Sequence, residues 1–341
     1  MIFYLTTLLL ITLTTSFISS DTKTLVVYAG PQLNSCSKKN RYYHYNFLHF
    51  LHTGLTNDIN HDFIIVITKE IINLYREMMI TLMHKYPQLK LVTAQSSKCY
   101  DMESYRLALS HPKTNLDKYQ HFIFLNCGLV GPFSSSGSGS GSGSGSWMNR
   151  LTNHLSEDVK LVGISMNCEG KDGVKQAHVQ SMIFSTDKIG LEIIRSSNAI
   201  YDCGDSLVKG SYYEKRKARS NLINRYELGM SKAILEAGYM IKSIHPLQDN
   251  LTFSNLNNSI PFPSKCIDLW YSNTKRFDDC FLFERIGCIP TSSQYSKEDV
   301  LFWKNTRIEL PIYIKDGVIN QIYNPCMMTS AYEFINDVYI L

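Results

Sequence analysis

Five polar side chains stand at or just beyond the ends of apolar runs. Asp101 follows LVTA (91–94), Asn126 ends HFIFLN (121–126), His178 and Gln180 come after VKLVGISM (159–166), and Asp187 comes after the run 179–185. A carboxylate so placed can take a proton from a hydroxyl, and an amide or imidazole can hydrogen-bond a polar ligand. Simpler roles compete. Asp101 and Asp187 each open a helical pattern and suit N-caps. Asn126 precedes Cys127-Gly128 and Gly131-Pro132, which is turn chemistry. His178 suits a satisfied core or surface histidine. Glu227 differs from these, because helical spacing sets it between Ile223, Met230 and Ile234, at the margin of an apolar face. There it must be paired, hydrogen-bonded or shifted in pKa, and an arginine ion pair is the structural alternative to a catalytic role.

The elements that must carry these residues alternate. Apolar runs at 25–29, 63–68, 89–94 and 121–126 read as buried strands, separated by helical patterns over 41–55, 70–85 and 102–110. Uninterrupted apolar strands between helices predict a mostly parallel sheet covered on both faces, an α/β doubly wound architecture. Farther on, 159–166 and 179–185 read as strands, and 147–155, 188–196 and 221–237 as helices. In such a sheet ligands bind beyond the carboxyl ends of the strands, so the five polar groups and Glu227 are expected to converge on one cleft.

The chain has 341 residues, 44% of them hydrophobic, and a net charge of only +4. That suits a folded core and gives no basic footprint for nucleic acid. Nine cysteines occur without a Cys-x-x-Cys pair, which excludes zinc ribbons and thioredoxin-type redox motifs. Residues 1–20 read as a signal peptide or signal anchor, the one part expected to meet a membrane if it stays uncleaved. The sequons at Asn250 and Asn257 agree with a glycosylated protein of the ER or Golgi lumen, or a secreted one. Residues 134–146 are pure Gly and Ser and read as a flexible tether. They divide 21–133, the expected ligand-binding half, from 147–341, an acceptor half with an irregular C-terminal part. Ser165 lies in GISMN rather than in a Gly-x-Ser-x-Gly elbow, which argues against an α/β-hydrolase.

Five segments occur in an order that resembles the rhamnan-synthesis-F-like and related eukaryotic glycosyltransferases: YQHFIFLNCGLVGPF (119–133), VKLVGISMNCEG (159–170), HVQSMIFSTDKIGLEII (178–194), INRYELGMSKAILEAGYMI (223–241) and DVLFWKNTR (299–307). The resemblance implies a GT-A-like nucleotide-sugar fold transferring a hexose or deoxyhexose to a glycan. It makes Asp187 or Glu227 the catalytic base. Asp101, Asn126, His178, Gln180, Lys304 and Arg307 become substrate-binding residues, the last two at the diphosphate. The strand end Asn126-Cys127-Gly128 offers no Asp-x-Asp, so metal independence is expected and the implied small molecules are a nucleotide-sugar donor and a glycan acceptor. The same feature supports the alternative of a non-catalytic glycan- or nucleotide-sugar-binding protein on that fold.

Overall fold

The computed structural model describes residues 23–31, 42–94, 101–132, 146–169, 175–200, 221, 223–244, 252–254 and 301–304. The N-terminal segment 1–20, the Gly/Ser tract up to residue 145, the sequon asparagines Asn250 and Asn257, and Arg307 lie outside the described residues. In chain order the strands are β1 (Thr24–Ala29), β2 (His61–Thr68), β3 (Leu89–Ala94), β4 (His121–Asn126), β5 (Leu129–Val130) and β6 (Val159–Gly163). They continue with β7 (Met166–Glu169), β8 (Lys175–Val179), β9 (Ile183–Asp187), β10 (Met240–Ser243), β11 (Thr252–Ser254) and β12 (Trp303–Lys304). The helices are α1 (Tyr42–Thr53), α2 (Lys69–Leu74), α3 (Arg76–Lys85), α4 (Asp101–Leu109), α5 (Asn149–Thr152), α6 (Lys188–Ser196) and α7 (Gly229–Glu236).

Eight strands make one sheet, in the order β11-β10-β6-β9-β4-β1-β2-β3. Strands β1 to β4 pair in parallel, as the apolar runs predict, and β10 pairs in parallel with β6. Strand β9 is antiparallel to both of its neighbours, β4 and β6, and β11 is antiparallel to β10. The fold is thus α/β with a mostly parallel sheet, drawing strands from both sides of the Gly/Ser tract.

Both faces are covered, and alternate residues of each strand point to opposite cores. Val26, Tyr28, Phe63, Ile65, Ile123 and Leu125 face Phe47, Phe50 and Leu51 of α1, with Ile71 and Met79. Leu25, Val27, Ile64, Val66, Phe122 and Phe124 face Tyr105 of α4, Leu191 and Ile194 of α6, and Met230 and Ile234 of α7. Tyr28 stacks on Phe50 at 4.2 Å, and Phe124 on Phe184 at 4.9 Å.

Four elements differ from the sequence reading. The helix expected over 70–85 divides at Tyr75 into α2 and α3. The helix expected over 221–237 has its described start as a π-helical turn, Ile223–Leu228, before α7. The strand expected over 159–166 stops at Gly163, and the chain then makes the β7–β8 hairpin. The strand expected over 179–185 is β9, beginning only at Ile183. A parallel return would need a crossover back to the amino edge. The hairpin instead keeps the chain at the carboxyl edge of β6, so it re-enters the sheet from the edge it left and β9 runs backwards.

Phe124 lies at the contact between β4 and the α4 face, with Tyr105 at 5.1 Å and Phe184 stacked on it. Phe124→Ala is expected to cost about 3–5 kcal/mol through the cavity it leaves, measured by denaturant unfolding.

Candidate active site at the carboxyl edge

The chain leaves β1 towards β2 on one side, while β4 lies on the other. Connections that diverge from neighbouring parallel strands open a crevice at their carboxyl ends. Asn126 stands at that point as the last residue of β4, level with Ala29 of β1. Its Oδ1 accepts from the backbone N–H of Gly128 at 2.8 Å, and its Nδ2 donates to Asp101 Oδ2 at 2.5 Å. The turn role of Asn126 is present, and the turn bond fixes which end of the amide faces Asp101. Asp101 opens α4, beyond β3. Burial raises its carboxyl from 3.8 to about 6; the Asn126 hydrogen bond opposes this and the charge of Glu227 adds to it.

Glu227 comes from the π-helical turn and reaches the same crevice from the α7 side. Its Oε2 accepts from Ser181 Oγ at 2.9 Å, and its Oε1 lies 3.8 Å from His178 Nε2. Single π turns are frequent at functional sites, since the extra residue re-aims a side chain. The β7–β8 hairpin carries His178 in β8, level with Asn167 of β7. The Val179 N–H donates to Ser231 Oγ at 3.0 Å, which fastens the hairpin to α7 one turn after Glu227. Ser165 Oγ donates to Gln180 Oε1 at 2.5 Å, closing the base of the hairpin. Gln180 is thus placed at the carboxyl edge as expected, with its side-chain oxygen already engaged.

Asp187 does not join this group. Because β9 is antiparallel, Asp187 stands opposite His121, the first residue of β4. Five strand steps of about 3.3 Å separate that end from Asn126, roughly 16 Å. There Asp187 caps α6, accepting from the Gly190 N–H at 2.8 Å, and it pairs with Lys160 Nζ at 2.6 Å. The capping alternative holds, and the catalytic assignment of Asp187 is corrected by the direction of its strand. His178, expected among the substrate-binding residues, is only 2% exposed and lies beside Glu227, its Nε2 3.8 Å from Oε1, rather than open to a ligand. Strand β12 pairs with β5, placing the Lys304 backbone opposite Leu129, next to the turn that follows β4.

Other residues hold the site and carry no signal of their own in the sequence. Ser181 is one. Asn46, buried in α1, donates to the Cys127 carbonyl at 2.9 Å, and His49, one turn on, hydrogen-bonds the Pro132 carbonyl. Burial holds the His49 imidazole down at about 4, with His52 adding to the effect, so it stays neutral at ordinary pH. Both ends of the segment after β4 are thereby tied to one helix. Among the described residues no group of three His, Cys, Asp or Glu side chains is arranged to hold a metal ion.

No protein-family model matches the chain, and no curated protein does. Among solved structures it is similar to a 4-diphosphocytidyl-2C-methyl-D-erythritol synthase from Anaerococcus prevotii, with 12% identity over 61% of this chain and 85% of that one and a TM-score of 0.33. It is similar to the glycosyltransferase GlyE of Streptococcus pneumoniae, with 13% identity, 60% and 45% coverage and a TM-score of 0.31. It is also similar to mouse xyloside xylosyltransferase 1, with 11% identity, 64% and 81% coverage and a TM-score of 0.28. At scores this low the likeness carries no weight, and the reading of the site rests on the chain's own geometry.

Two outcomes check this geometry. Between pH 4 and 6 the folded state keeps the Asp101 proton that the unfolded state loses, so Asp101 lowers stability as pH rises through that window and costs nothing below it. Asp101→Asn should therefore gain stability relative to the parent on going from pH 4 to 7, by on the order of 2 kcal/mol in urea unfolding. Asp187→Ala should lose about 3 kcal/mol at pH 7 in urea unfolding, from the lost cap and the uncompensated Lys160.

Proposed function

We propose that the chain is a glycosyltransferase of the secretory pathway, moving a hexose or deoxyhexose from a nucleotide sugar to a glycan acceptor. The observation that carries the reading is the pair of carboxyl groups, Asp101 and Glu227, facing one crevice where β1 and β4 diverge, with Asn126 between strand end and turn. Asp101 and Asn126 offer a fixed hydrogen-bonding edge for the donor. Glu227, 23% exposed at its side chain, is open enough to meet an acceptor and is held by a neighbour that donates to it. In the reaction the acceptor hydroxyl gives its proton to Glu227 as its oxygen bonds the anomeric carbon. The bond from that carbon to the diphosphate breaks, and its electron pair leaves with the nucleoside diphosphate. Lys304 and Arg307 take the expected role of neutralising that charge. The support for Lys304 is the β5–β12 ribbon, which brings its backbone back beside the switch point.

The experiment is a transfer assay with UDP- and GDP-hexoses and a mixed oligosaccharide panel. Glu227→Gln should lose about a hundredfold or more in kcat while its nucleoside diphosphate affinity stays near that of the parent, as expected for a lost base. Asn126→Ala should weaken nucleotide binding. Parent protein that binds a nucleotide but transfers nothing to any acceptor contradicts the transferase and favours the non-catalytic binding protein.

A further inference from the structure

Resting on that reading of Glu227, we propose that Ser181 and His178 are positioning residues that hold the Glu227 carboxylate in its working orientation, and that neither binds substrate directly. The two oxygens of Glu227 are divided between them. Ser181 Oγ donates to Oε2 at 2.9 Å, and His178 Nε2 stands 3.8 Å from Oε1, outside hydrogen-bond reach and within ion-pair distance. A carboxylate hydrogen-bonded at one oxygen, with an imidazole packed beside the other, has few orientations open to it, and a base so held meets its proton with little reorganisation.

The order of the three groups decides what they can do. The carboxylate lies between the serine and the histidine, so Ser181 donates to Glu227 and has no described contact with the imidazole. A serine nucleophile needs a base to take its proton, with the acid behind that base. Here the acid stands in the middle, so the serine–imidazole–acid order of a hydrolase triad is absent and both neighbours contact Glu227. Exposure agrees: the Glu227 side chain is 23% exposed and that of His178 is 3%. Of the two, the carboxylate is the group a solvent-borne acceptor would meet.

Both neighbours come from one stretch of chain, His178 on β8 and Ser181 in the turn before β9, while Glu227 comes from the π-helical turn. The Val179–Ser231 bond fastens the two parts together. Glu227 is therefore placed by contacts across two elements rather than by its own turn alone.

Two measurements test this. In the transfer assay with UDP- and GDP-hexoses, Ser181→Ala and His178→Gln should each lower kcat about ten- to a hundredfold, with affinity for UDP or GDP within about twofold of the parent. Ser181→Thr, which keeps the hydroxyl, should restore most of the loss. Adding either substitution to Glu227→Gln should lower the rate no further. In infrared difference spectra against Glu227→Gln, the Glu227 carboxylate band should shift in Ser181→Ala and return in Ser181→Thr. A band unmoved by both Ser181→Ala and His178→Gln, rates that multiply in the double variants, or a loss of nucleotide affinity in the single ones would overturn the assignment. Parent protein without turnover on any donor contradicts the transferase reading instead, and the infrared comparison then decides the holding of Glu227 by itself.

Discussion

The backward course of β9 is the constraint on which the arrangement of this site depends. Lying between β4 and β6, it brings the turn 180–182 to the carboxyl edge, where the Asn126 N–H bonds the Met182 carbonyl and Ser181 reaches Glu227. The same reversal sends the other end of the strand, with Asp187, to the amino edge beside His121. The two candidate bases, Asp187 and Glu227, thus acquire separate duties. One caps α6 and neutralises Lys160, and the other faces the crevice.

The crevice holds polar groups at the margin of two apolar cores, and their hydrogen bonds to one another fix their positions. Desolvation of Asp101 favours its neutral form, the Asn126 amide favours the charged one, and the nearby Glu227 charge tips the balance upward. Asn126 is itself fixed by the Gly128 N–H, and Gly128 follows Cys127, whose carbonyl is held by Asn46 of α1. A chain of hydrogen bonds therefore runs from a fully buried helix residue to the site. Gly131, at φ 140°, lets the Leu301 carbonyl and the Phe302 ring approach closely; a Cβ there would stand 2.7 Å and 2.6 Å from them. The β5–β12 ribbon depends on that contact, and with it the return of the C-terminal segment.

The sheet core was legible because its strands are buried on both faces. Runs such as FIIVIT and HFIFLN carry that burial openly, and β1 to β4 follow them within a residue or two. Strand direction was not legible, since alternation and apolarity are the same in either sense. The run VKLVGISM stays mostly apolar to its end, yet Ile164 and Ser165 belong to the bend that opens the hairpin, so pattern alone could not show where β6 ends. Glu227 stood out because a carboxylate at an apolar margin demands a partner. Its neighbours were hidden, because Ser181 is 46 residues away and a lone serine carries no pattern. Asp101 and Asn126 do stand together beyond the ends of parallel strands, where the strand-end rule looks for a site, and Asp187 was misplaced by the same rule applied to an antiparallel strand.

The proposed transfer requires a nucleotide to bind where β1 and β4 diverge. Hydrogen exchange of the full chain, with and without saturating UDP or GDP, reads that binding directly. Exchange should slow in the segments holding Asp101 to Tyr105 and Cys127 to Val130, with no change around Lys160 and Asp187. Protection confined to the amino edge, or none with either nucleotide, would contradict it.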